Sequence, residues 1–220
     1  MADIFGYGEK DQHIITYSLI IIVSIFCLFF INLFDVIEIL DDRVISLDSK
    51  FISEEILTIF RTLCTILAFY TIFVLMIFNR EGGSMNPLFH DERITKSHKT
   101  MGLERMVPFS SWNLIIFGLY FSTVLAFGWF ELFDINASKF LYLSSGMLLP
   151  MSLGMSMLTA TIVTYVIIPN EVNSDRDYNH LFKIHEMVMH NLVVILISVE
   201  VILSQPNLNW QLAIFGLVIG

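Results

Sequence analysis

Charged residues are scarce in this chain. Of its 220 residues, only 15% are Asp, Glu, Lys or Arg, whereas 55% are hydrophobic. Soluble domains of this size carry a larger charged fraction. The segments between the apolar runs are also too short to enclose a core of their own. The composition therefore argues against a water-soluble fold and predicts a single membrane domain over residues 1–220.

Basic residues and cysteines are also few. The chain has 12 Lys and Arg against 21 Asp and Glu, which gives a formal net charge of -9. Proteins that bind nucleic acid present clustered basic side chains to the phosphates, so no nucleic-acid partner is expected. Cys27 and Cys64 both lie inside apolar runs. They are therefore expected to be small buried side chains rather than a disulfide or a metal pair.

The chain instead contains several long apolar runs. A bilayer core about 30 Å thick needs roughly 20 residues of α-helix. Five runs meet this length: residues 14–34, 56–78, 112–130, 141–168 and 187–204. A sixth run, residues 209–220, has about half the length, so we expect its helix to continue beyond Gly220 or to be only partly represented. The predicted fold is all-α, a polytopic transmembrane helical bundle with five complete helices and a partial sixth.

The Lys and Arg residues of the short loops set the predicted orientation. Eight of them lie in the amino-terminal tail and in the loops after the second and fourth spans, and four lie on the other side. The largest group belongs to the loop of residues 79–108. We therefore predict that the amino terminus and this loop are cytosolic.

Ionisable side chains inside the spans are costly and mark functional or structural sites. Arg61 lies early in the second span, and His190 and Glu200 lie near opposite ends of the fifth. Because these two spans run in opposite directions, Arg61 and Glu200 reach the same depth, and we predict that they pair. The alternative is that Arg61 extends to the interface and that Glu200 is protonated or lies near the interface.

Three histidines, His180, His185 and His190, recur every five residues. Five residues advance an α-helix by about 140°, so these side chains are expected on different faces, unlike the paired ligands of helical zinc sites. No metal site is predicted.

Two short stretches carry a family resemblance. Pro108-Phe109-Ser110-Ser111-Trp112-Asn113 opens the third span, and Met189-His190 opens the fifth, with Glu200 ten residues further on. Over residues 105–204 the chain resembles the androgen-induced and androgen-dependent tissue-factor-pathway-inhibitor-regulating proteins and, more distantly, the rolling-stone-like multi-pass proteins. The first group are multi-pass proteins that hydrolyse fatty acid esters of hydroxy fatty acids, with a Thr as nucleophile and the His of a Met-His pair as its partner.

The resemblance implies an intramembrane lipid-ester hydrolase of an endomembrane. Ser110 stands where the family has its Thr, with Ser111 as the adjacent alternative, and His190 is the base. The third and fifth spans run in the same direction, so Ser110 and His190 can share a depth near their cytosolic ends. Glu186 lies one turn before His190 and could orient the imidazole. The other polar residues expected to have an orienting or a structural role are Ser111, Asn113, Arg61 and Glu200.

Other interpretations of the same residues stay open. Ser110 follows Pro108 and precedes an apolar helix, which is typical of an N-cap, and His190 could hydrogen-bond a neighbouring helix. The alternative function is a non-catalytic polytopic subunit of a larger membrane complex, since 20 Phe and 11 Met offer broad, adaptable apolar surfaces. Membrane lipids are the expected partners, joined in this alternative by other membrane subunits, and no cofactor is expected.

The predicted orientation can be tested by protease protection. Trypsin added to the cytosolic side of sealed vesicles is expected to cut within residues 79–108, because this loop holds most of the basic residues on that side. Cleavage of this loop from the opposite side alone would contradict the orientation.

Overall fold

The transmembrane helices account for most of the fold. The computed structural model of the protein describes residues 12–33, 49, 51–85, 88–89, 94–95, 98–133, 135, 138–173, 179–204 and 206. Within these residues, four helices are long and apolar enough to cross a membrane, Glu54–Ile77, Phe109–Phe130, Phe140–Asn173 and Ile184–Ser204. They confirm the second to fifth predicted spans. A shorter apolar stretch, Tyr17–Asn32, marks the first, and residues 209–220 lie outside the described part of the chain.

The four spans are built from α-helices and π-helical segments. The α-helices are α1 Gln12–Leu33, α2 Glu54–Tyr70, α3 Phe109–Leu132, α4 Lys139–Ile162, α5 Ile168–Asn173, α6 Ile184–Met187 and α7 Val193–Ser204. The π-helical segments are π1 Thr71–Ile77 after α2, π2 Val163–Ile167 between α4 and α5, and π3 Val188–Leu192 between α6 and α7. Short 3-10 helices, Gly102–Met106 and Asn179–Phe182, precede the third and fifth spans. Helices dominate because in lipid every backbone polar group must find a partner within the chain.

The loop between the second and third spans folds back on itself. Strand β1 Gly83–Met85 pairs antiparallel with β4 His98–Thr100, and β2 Leu88–Phe89 pairs with β3 Ile94–Thr95. Gly82 enters β1 with a φ of 73°, and a Cβ atom there would lie 2.8 Å from the Thr100 carbonyl oxygen, so only glycine fits. The pairing returns the chain to the end of the second span. The sequence did not predict these strands.

Small residues allow the second and third spans to pack closely. Gly118 lies against Ala68, and a Cβ atom at Gly128 would come within 2.6 Å of Thr58 Oγ1. Such contacts let helix backbones approach in lipid, where packing rather than hydrophobic exclusion joins helices. The third span also packs on the fourth and fifth. The most deeply buried apolar side chains of the bundle are Ala68, Leu114, Phe117, Phe121, Val124, Leu149, Val193 and Ile197.

Both cysteines are buried and free, with Cys27 in α1 and Cys64 in α2. This confirms the expectation of small buried side chains.

Arg61 and Glu200 form the predicted pair in the interior of the bundle. Arg61 donates from Nη2 and Nε to Glu200 Oε1, at 2.7 and 3.0 Å. Tyr120 of α3 donates to the same oxygen at 3.3 Å. The Arg61 side chain is 2% exposed, so its extension to the interface was the wrong alternative. The pair joins the second, third and fifth spans.

A double-mutant cycle tests the contribution of this pair. Arg61→Met and Glu200→Leu are each expected to lower the free energy of unfolding by roughly 3 kcal/mol, because each leaves a buried charged partner uncompensated. The double variant should lose clearly less than the sum, as measured by denaturant titration in mixed micelles. Additive losses would show that the two side chains are not coupled.

Candidate functional site

A cavity of about 280 Å³ lies at the end of the bundle where the second span ends and the third and fifth begin. It combines apolar and ionisable side chains, which suits the binding of a molecule with both characters. Its lining residues are Met76, Gly83, Thr100, Arg105, Pro108, Ser110, Ser111, Ile167, Glu171, Leu181, Glu186, Met189 and His190. The cavity therefore contains Ser110, Ser111, Glu186 and His190, four of the residues singled out in the sequence.

Each π-helical segment contributes to this lining. Met76 belongs to π1, Ile167 to π2, and Met189 and His190 to π3. A π-helical turn holds one more residue than an α-helical turn and is often found at functional sites. The wider π-helical turns of three spans are thus located beside the cavity.

The two serines of the third span differ in how their hydroxyls are used. Ser111 is fully buried and donates to the Arg105 carbonyl oxygen at 2.7 Å. Ser110 is partly exposed and lines the cavity. Helix α3 begins at Phe109, so Ser110 lies inside the helix and the N-cap interpretation was wrong. Of the two hydroxyls, that of Ser110 is the better placed to meet a bound molecule.

Glu186 contacts both neighbouring histidines. Its Oε2 lies 3.5 Å from His190 Nε2, and its Oε1 lies 3.2 Å from His185 Nε2. The two rings meet different oxygens of the carboxylate, and of the two histidines only His190 lines the cavity. His190 Nδ1 is buried and has no hydrogen-bond partner within the described part of the chain.

The Arg105 side chain joins the second and fifth spans at the site, a role that the sequence did not predict. Its Nη1 donates to the carbonyl oxygens of Leu75 and Met76 at 2.9 and 3.0 Å. Its Nη2 lies 2.5 Å from His185 Nε2. A guanidinium can only donate, so His185 Nε2 is the acceptor in this contact. Burial lowers the pKa of Arg105 below its ordinary value, and the Glu186 carboxylate partly opposes this shift.

Asn113 supports the site from deeper in the bundle. Its Nδ2 donates to the Met189 carbonyl oxygen at 3.4 Å, and Ser156 donates to its Oδ1 at 3.0 Å. Asn113 therefore joins the third, fourth and fifth spans next to His190. It does not line the cavity.

Glu171 of α5 is a second carboxylate in the lining that the sequence analysis did not single out. It is buried although it follows the fourth apolar run, where a charged residue is expected in water.

The pair of Arg61 and Glu200 lies outside the cavity, since Glu200 is ten residues, or about 15 Å of helix, from His190. Among the described residues, no three His, Cys, Asp or Glu side chains are grouped as metal ligands.

The fold and the site define a multi-pass membrane protein with a cavity of mixed apolar and ionisable lining at one end of its helical bundle. Comparisons with protein-family models, with curated proteins and with solved structures gave no match. The family resemblance seen in the sequence therefore stays a prediction.

The contacts of Arg105 lead to a stability prediction. Arg105→Met is expected to lower the free energy of unfolding by about 2–3 kcal/mol, because two carbonyl groups and His185 lose a charged donor. Arg105→Lys should recover only part of this loss, since an ammonium cannot reproduce the fork of the guanidinium. Unfolding in detergent micelles measures both, with Arg80→Met as an exposed control. If Arg105→Met unfolds like Arg80→Met, the contacts contribute nothing.

Proposed function

We propose that this protein is an intramembrane lipid-ester hydrolase, with Ser110 as nucleophile and His190 as general base. The observation that carries the proposal is that these two residues, eighty positions apart in the chain, line one cavity. A serine hydroxyl is a weak nucleophile alone and needs a nearby base, a role that histidine commonly performs. The orientation expected from the basic residues would make this a cytosolic site.

Glu186 supports the proposed role of His190. The carboxylate lies beside Nε2, and Nδ1 has no hydrogen-bond partner among the described residues, so the Ser110 hydroxyl must move within reach of the ring when substrate binds. If Glu186 accepts the Nε2 proton, the lone pair of Nδ1 is the one that serves as base. A carboxylate, an imidazole and a hydroxyl are the three groups of a hydrolytic triad.

The reaction proceeds in two steps. His190 takes the proton of Ser110 as Oγ bonds to the ester carbonyl carbon, and the protonated ring then donates to the departing alcohol, leaving an acyl-serine. Water, deprotonated by His190, attacks this ester and releases the carboxylic acid, and the proton returns to Ser110. Ser110 is the second residue of α3, so the positive end of the helix dipole favours the developing negative charge.

A fluorophosphonate probe tests the assignment of the nucleophile. The wild-type protein is expected to be labelled at Ser110, and Ser110→Ala should abolish both labelling and lipid-ester hydrolysis. His190→Ala should lower kcat by about 10²–10⁴-fold, since it removes the general base. Ser111→Ala is the matched control and should still be labelled, because the hydroxyl of Ser111 is bound to the Arg105 carbonyl.

Two outcomes contradict the proposal. Undiminished hydrolysis by both Ser110→Ala and His190→Ala would exclude the mechanism. Absence of labelling together with stable co-purification in a larger membrane assembly would favour the alternative, a non-catalytic polytopic subunit.

A further inference from the structure

Four large apolar side chains are exposed in the two segments that supply lining residues to the cavity. Leu103, Val107, Phe182 and Ile184 are 74%, 72%, 53% and 73% exposed; we call these four residues the apolar collar. Their neighbours in sequence, Arg105 and Pro108 on one side and Leu181 and Glu186 on the other, line the cavity. Each of these two segments therefore has lining residues that face the cavity and collar residues that are exposed.

A hydrogen bond joins the two segments that carry the collar residues. Leu103 and Val107 flank Arg105 in and after the 3-10 helix Gly102–Met106. Phe182 and Ile184 flank the start of the fifth span, one to three residues before His185. Arg105 Nη2 lies 2.5 Å from His185 Nε2. The hydrogen bond holds the two segments against each other beside the cavity.

The height of the collar matches the edge of the bilayer. Val107 lies two residues before Phe109, where the third candidate span begins, and Ile184 is the first residue of the last. Lys183 is exposed between Phe182 and Ile184, and Lys99 is exposed in β4. Apolar side chains that flank a Lys, as Phe182 and Ile184 flank Lys183, are typical of segments that insert at the interface, where the amine meets lipid phosphates.

The size of the cavity also bears on how a lipid would occupy it. At about 280 Å³ it lies just below the range of roughly 300–1,000 Å³ that encloses drug-sized ligands. It can therefore hold an ester group with the atoms around it, but not the acyl chains of a lipid. Those chains must stay in an apolar medium during the reaction.

We propose that the apolar collar inserts into the bilayer interface and that lipid esters reach Ser110 and His190 through it from the membrane. The ester group enters the cavity while the acyl chains stay in the bilayer. The insertion of the collar is independent of the chemistry, whereas the access route rests on the proposed hydrolase function.

Nitroxide accessibility in reconstituted vesicles tests the insertion. Both native cysteines are buried, so a spin label can be attached selectively to Leu103→Cys or Ile184→Cys. Both labels are expected to collide with oxygen several-fold more than with a water-soluble nickel chelate, as in the lipid-exposed control Ile66→Cys. Glu81→Cys, in the exposed turn after the second span, is the aqueous control. Labels at positions 103 and 184 that behave like the label at 81 would overturn the insertion.

Two esters test the access route. Leu103→Asp combined with Val107→Asp is expected to lower kcat/KM about tenfold for a long-chain ester embedded in vesicles, because the charges oppose insertion. Hydrolysis of a short-chain, water-soluble ester should be unchanged, since neither residue touches the cavity. Leu103→Gln with Val107→Gln serves as a milder pair if the aspartates prevent folding.

Loss of both activities in equal proportion, or of neither, would overturn the access route. A wild-type protein that hydrolyses neither ester would overturn the proposed function and the route with it. The nitroxide measurements would still decide whether the collar lies in the bilayer.

Discussion

The hydrogen bonds of Arg105 hold the cavity end of the bundle together. A transmembrane helix ends with carbonyl groups that have no partner in the helix, and Arg105 satisfies those of Leu75 and Met76 at the end of the second span. The same guanidinium binds His185 of the fifth span, and the Arg105 carbonyl accepts the Ser111 hydroxyl of the third. Three spans thus meet at one residue of a loop. The positions of Ser110, Glu186 and His190 around the cavity depend on this arrangement.

The two halves of the bundle are built on different principles. Away from the cavity, regular α-helices pack through small residues and enclose the ion pair of Arg61 and Glu200. At the cavity, three spans change to π-helical segments, and side chains from all three form the lining. A wider turn moves its side chains out of the regular α-helical register, so neighbouring helices need not fill all the space between them. The closely packed part of the bundle and the cavity therefore lie at different depths along the same helices.

Much of the fold could be predicted from the sequence because few backbone structures can span lipid with all their polar groups paired. Apolar length predicted the spans, and depth alone predicted the contact of Arg61 with Glu200. The site was harder to predict. Arg105 counted only as a basic residue of a loop, since hydropathy cannot show that a loop folds back into the bundle, and strands of two or three residues are too short to display alternation. The contact of Glu186 with His190 was predicted from their i, i+4 spacing, whereas the contact of Glu186 with His185 was not predicted.

The π-helical segment Val188–Leu192 makes the geometry of the site sensitive to chain length rather than only to side-chain identity. Such a segment is equivalent to an α-helix that has gained one residue. Deleting Val188 or Met189 would restore a regular helix with little loss of apolar length, yet it would rotate the preceding turn by about 100°. His185 would then turn away from Arg105, and the contact between these two side chains would be lost. Among homologous chains, a one-residue gap at this point would therefore identify members that keep the bundle but not the cavity.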